Sequence, residues 1–145
     1  MENIQYLIKL LQSSISPIVL ISGVGLLLLS QTNRLGRVID RTRHLVKEIE
    51  NDKTKKEKRK VQITILYKRG RLLRLSITAI SITIFFAGLM ILLLFLGYFT
   101  QFKIDTLFLT SFIIAVFGLI LSIILFLFDI SLSLKALKHQ IREIL

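Results

Sequence analysis

Residues 77–99 read ITAISITIFFAGLMILLLFLGYF, and residues 107–128 read LFLTSFIIAVFGLILSIILFLF. Neither stretch holds a charged side chain, and each is long enough for a helix to cross a hydrocarbon core of about 30 Å. Together they make this a membrane chain. A third apolar run, Ile15 to Leu29, is shorter. Counted from Ser13 to Ser30 it would rise about 27 Å, barely a full crossing. Pro17 suits the start of that helix, where its missing N–H leaves no partner wanting, and Ser14 or Ser16 is placed to cap the first turn. The chain has 145 residues, 53% of them hydrophobic, and a mean hydropathy of +0.70. Those values are too apolar for an ordinary soluble domain of this size.

The expected fold is therefore all-α: an integral membrane protein with three transmembrane helices and cytoplasmic helical extensions. It forms one membrane domain over 1–145, with an outer amphipathic helix at 1–12 and span one at 13–30. A basic helical hairpin follows at 33–75, then span two at 76–99, span three at 106–128 and an amphipathic tail at 129–145. Charge sets the direction. Residues 33–75 carry 15 of the 20 Lys and Arg against five of the nine acids, which accounts for ten of the formal +11. The tail adds Lys135, Lys138 and Arg142, whereas the N-terminal segment has Lys9 and the second connection Lys103. By the positive-inside rule the hairpin and C-terminus face the cytoplasm and the N-terminus faces outward. Tyr98 and Phe99 fall at the outer interface.

The same charge excludes less obvious partners. A soluble chain at +11 would suggest nucleic acid, but no zinc-finger spacing or aromatic-rich binding motif accompanies the basic residues, so none is expected. Anionic lipid headgroups are the natural counter-charge. The chain has no cysteine, so disulfides, thiolate chemistry and cysteine metal sites are excluded. His44 and His139 lack ligand spacing, and no phosphate loop or dinucleotide fingerprint is present. The spans offer Ser and Thr with no acid, base or cation to activate them. An enzyme is not expected, nor is a cofactor.

Helical periodicity continues beyond the spans. Leu35, Val38, Ile39, Thr42, Leu45, Val46 and Ile49 recur at steps of three and four, and Ile65, Leu66, Leu72 and Leu73 resume that spacing after the polar stretch 51–60. This pattern predicts an antiparallel hairpin continuous with spans one and two. Leu134, Leu137, Ile141 and Leu145 give the tail a matching stripe, which either completes a bundle or lies on the membrane. Ile4, Leu7, Ile8 and Leu11 mark an outer interfacial helix.

Small residues also fall in stripes. Span one has Ser16, Gly23 and Ser30, seven apart, with Arg37 continuing the series. Span two has Ala79, Thr83 and Ala87, and span three has Ser111, Ala115, Gly118 and Ser122. In lipid such stripes let helices approach closely. Around a symmetric homo-oligomer, Ser16, Gly23 and Ser30 could instead line a narrow pore, with Arg34, Arg37 and Arg41 at its cytoplasmic mouth, an arrangement that favours anions. At the inner interface, Asn33, Arg34, Arg37, Asp40, Arg41, Arg43 and Asp129 form a candidate charge network. Asp129 ends the third run at the depth where Arg34 and Arg37 leave span one, so an ion pair is expected there; Asp40 has Arg37 three residues away as a local partner, with a partner on another helix as the alternative.

The stretch Ser16-Pro17, then Ser22-Gly23-Val24-Gly25-Leu26-Leu27-Leu28-Leu29-Ser30, then Thr32-Asn33-Arg34-Leu35-Gly36-Arg37-Val38-Ile39-Asp40-Arg41-Thr42-Arg43, resembles the membrane family known as domain of unknown function 2721. The three-span layout resembles it as well. The resemblance implies a small multi-pass protein of the bacterial inner membrane and supplies no activity or ligand residue. The remaining expectation is a non-enzymatic, self-associating scaffold, regulatory or accessory protein, with a homo-oligomeric, anion-leaning ion channel as the alternative.

Overall fold

The computed structural model of the chain describes residues 2–51, 56–100 and 105–142. These form three α-helices: α1 (Glu2–Asn51), α2 (Lys56–Thr100) and α3 (Asp105–Arg142). At 1.5 Å per residue their 50, 45 and 38 residues rise about 75, 68 and 57 Å, well beyond a hydrocarbon core. All three are long and apolar enough to cross a membrane, which makes this a multi-pass membrane chain. Each apolar run thus continues as helix into a polar extension, as the periodicity predicts.

One expectation is corrected. Pro17 does not start a helix; it lies inside α1, which begins at Glu2. Ser14 likewise caps nothing, because its Oγ donates to the Leu10 carbonyl at 2.9 Å, one turn back. Proline removes one backbone donor, here the one that would bond the Ser13 carbonyl, yet the helix continues through it. The sequence signal for an N-terminus therefore marked an interior position. Residues 4–12 belong to the same element, and Ile4, Leu7, Ile8 and Leu11 are exposed. Residues 52–55, the connection holding Lys103, and Leu145 lie outside the described residues. So do the side chains of Tyr98, Phe99, Lys135, Leu137, Lys138, His139, Ile141 and Arg142.

The chain divides into two compact units, each taking one segment from every helix. The first comprises Met1–Leu28 and Ala79–Leu121. Here α2 and α3 run antiparallel, since Thr83 pairs with Ala115 while Ala79 faces Gly118. Ala79, Thr83 and Ala87 are buried, as are Ser111, Ala115 and Gly118. A Cβ on Gly118 would meet Thr83 Oγ1 at 2.7 Å and the Ala79 carbonyl oxygen at 3.1 Å, so only glycine lets these backbones approach this closely. Thr83 Oγ1 lies 3.1 Å from both the Ala79 and Ala115 carbonyl oxygens, which ties it across the contact.

The second unit comprises Leu29–Thr78 and Ser122–Leu145. Its hairpin packs through the centre of the predicted seam. Val38, Leu45 and Leu73 are buried, whereas Ile39 and Val46, at the edge of the stripe, are exposed. Gly70 sits against the Val38 and Leu35 side chains, where an added Cβ would make ordinary contact at 3.6 and 3.9 Å. Glu48 joins the two arms by pairing with Arg59, and it also receives His44 Nδ1 at 2.9 Å from one turn away.

Candidate functional site

Among the described residues, the buried polar side chains of the second unit, Gln31, Ser76, Ser122 and Asp129, are arranged in two layers. In the first, Gln31 of α1, Ser76 of α2 and Ser122 of α3 meet. Ser76 Oγ donates to the Ser122 carbonyl at 2.7 Å and lies 2.9 Å from Ser122 Oγ. Gln31 Nε2 donates to Ser122 Oγ at 3.4 Å, a long bond. All three residues are buried, and Gln31 Oε1 has no hydrogen-bond partner among the described residues.

The second layer lies seven residues along α2 and α3 and three along α1. Asp129, fully buried, accepts from Arg69 Nε at 3.1 Å and faces Arg34 Nη1 at 3.6 Å. Two guanidiniums thus flank one carboxylate, leaving a net charge of +1. The pairing offsets the desolvation of a carboxylate that would otherwise be prohibitive at this depth. Arg34 also places its guanidinium 4.8 Å from the centre of the Phe126 ring, a cation–π contact. Both layers recruit α1, α2 and α3 in turn because α3 runs parallel to α1 and antiparallel to α2 here. The steps 69 to 76 and 122 to 129 are equal for that reason.

The predicted network residues take different places. The structure brings Arg34 to Asp129; Arg37 is not among that acid's partners. Asp40 pairs locally with Arg43 at 4.0 Å, not with Arg37, and both side chains are about three-quarters exposed. An exposed pair at that distance contributes little. Asn33, Arg37 and Arg41 are exposed, and Arg37 and Arg41 line one cavity with Arg34 and Arg69. Ser16, Gly23 and Ser30 are also exposed, and a Cβ at Gly23 would meet nothing within 4 Å.

Sequence reasoning missed Arg69, Gln31 and Ser76. The available signal was the matched spacing: a polar residue seven positions from a small one on both α2 and α3, in opposite chain directions. Among the described residues no cluster of three or more His, Asp or Glu could hold a metal ion.

A family model described as protein of unknown function (DUF2721) matches residues 14–139, most of the chain. The chain belongs to this family. The DUF2721 match takes in both polar layers and the whole hairpin, and the family's description assigns no activity. No curated protein and no solved structure matches the chain.

Proposed function

We propose that this DUF2721 member is a non-enzymatic membrane protein that self-associates through one face of α1 and serves as a scaffold, regulator or accessory subunit. One observation carries the reading. Of three small-residue stripes, those on α2 and α3 are buried within the chain, whereas Ser16, Gly23 and Ser30 on α1 are exposed. In lipid, close packing of such residues is a main source of helix association, so an uncovered stripe is suited to a second copy. The basic hairpin faces the cytoplasm of a bacterial inner membrane by the positive-inside rule, with the N-terminus outside, and is attracted to anionic headgroups. Reporter fusions at residue 55 and at Leu145 should both report cytoplasm.

Native mass in lipid nanodiscs tests the self-association. An oligomer is expected, and a strict monomer would overturn it. A second reading, an anion-leaning homo-oligomeric channel lined by α1, has its own support. Exposed Arg37 continues the Ser16, Gly23, Ser30 series and could ring a pore mouth. Reconstitution in a planar bilayer separates the two. Reproducible unitary currents altered by Ser30→Trp or Arg37→Glu favour the channel, and an oligomer without currents favours the scaffold.

A further inference from the structure

The second unit contains a cavity of about 410 Å³ lined by four arginines: Arg34, Arg37 and Arg41 from α1, and Arg69 from α2. Steps of three and four residues put the first three on one helix face. Asp129 compensates part of this charge through Arg34 and Arg69. Among the described residues Arg37 and Arg41 have no acidic partner, so four positive charges meet one negative charge and a surplus of three remains. Like charges gathered around a concave wall raise the local concentration of anions. Ser133 adds a hydroxyl from α3, and Val38, Leu66 and Ile130 supply an apolar side.

We infer that this cavity is a discrete binding site for a phosphate group, held by Arg37 and Arg41 and preorganised by the Asp129-anchored Arg34 and Arg69. The inference rests on the reading above that the basic segment attracts anionic headgroups, and narrows it from a diffuse field to one site. Chemistry selects phosphate. A guanidinium presents a planar fork of donors that matches phosphate oxygens two at a time, and several can share one tetrahedral anion. Asp129 takes one N–H of Arg69, and the guanidinium has five to give. The anchoring acid thus fixes the arginines without exhausting them.

Depth also fits. Arg34 lies four residues beyond Ser30, about 6 Å along the helix, and Ser133 lies five beyond Phe128, about 7.5 Å. The headgroup layer on either side of a hydrocarbon core is about 5–7 Å deep. Arg37 and Arg41 lie about 10.5 and 16.5 Å beyond Ser30, so the cavity starts in the headgroup layer at Arg34 and extends past it, away from the hydrocarbon core. Long arginine side chains can reach back toward lipid phosphates. A soluble phosphate could use the same arginines.

The test uses the full chain in neutral detergent, with apparent affinity for phosphatidylglycerol measured by native mass spectrometry against phosphatidylcholine. Inorganic phosphate serves as a second probe, read by thermal stabilisation. Arg37→Gln with Arg41→Gln is compared with Lys47→Gln with Lys68→Gln, which removes the same charge from exposed positions outside the cavity. Arg37 and Arg41 are exposed, so their loss should leave the melting temperature unchanged. The expected result is a drop of about ten-fold in phosphatidylglycerol affinity for the arginine pair and less than about two-fold for the lysine pair. Stabilisation by inorganic phosphate that is lost in the arginine pair alone, with lipid affinity unmoved, supports the site and assigns it to a soluble source. Equal weakening by both pairs overturns the site and leaves the diffuse attraction standing. No preference for the anionic lipid and no response to phosphate would overturn both.

Discussion

The two units pack their helices by opposite means. In the first unit α2 and α3 meet through Ala79, Thr83, Ala115 and Gly118, with no charged group in the contact among the described residues. In the second the helices meet around Gln31, Ser76 and Ser122, and around Asp129 with its two arginines. Close approach of small side chains gains dispersion contacts and needs little specificity of partner. Polar layers are costly to bury and therefore admit only the register that satisfies them. The first unit is tuned for proximity, the second for alignment.

If this contrast is right, the two units should fail differently. The largest loss belongs to the small-residue contact. Gly118→Leu must displace Thr83 Oγ1 and the Ala79 backbone, so it should cost about 3 kcal/mol of unfolding free energy in detergent. A near-neutral variant would mean that α2 and α3 are not this close. Next comes Asp129→Ala, which strands Arg69 and Arg34. Both arginines keep some solvent contact, at 19% and 33% exposure, so the expected cost is about 2 kcal/mol, below the roughly 3–5 kcal/mol of a fully buried pair. Double-mutant cycles should show stronger coupling of Asp129 to Arg69 than to Arg34, following the 3.1 and 3.6 Å contacts. Equal additivity for both would remove the layer.

Ser76→Ala tests the first polar layer. It deletes the 2.7 Å bond to the Ser122 carbonyl and should cost about 1 kcal/mol by the same unfolding assay. A loss as large as that of Asp129→Ala would show that the hydroxyl layer, not the ion pair, aligns the helices. The smallest effect is expected at Asp40→Ala. Its 4.0 Å pair with Arg43 is exposed, and the change should stay within about 0.5 kcal/mol.

These sites were unequally legible in the sequence. The spans and the hairpin stripe announce themselves because a bilayer demands long apolar runs and a seam demands a helical period. Asp129 was legible as well, since an acid ending an apolar run is costly without a partner. Arg69 was not. It is one of 15 basic residues in a polar segment, and nothing local distinguishes it until the register of α2 against α3 is known. Pro17 misled for a related reason. Its chemistry suits a helix start, but the apolar residues on both sides belong to one continuous helix. The stripes on α2 and α3 looked like the stripe on α1, and only the fold separates the covered pair from the open one.

That open stripe is the basis of the proposed self-association, and the absence of native cysteine allows a direct probe. A single introduced thiol reports only contacts between copies, because a disulfide needs Cα atoms within about 7 Å. The measurement is mild oxidative cross-linking in native membranes of Gly23→Cys against Ser22→Cys, two exposed neighbours that point about 100° apart on α1. Self-association through the stripe predicts efficient disulfide dimers for Gly23→Cys and little for Ser22→Cys. Equal cross-linking of the two, or none at Gly23, would contradict it.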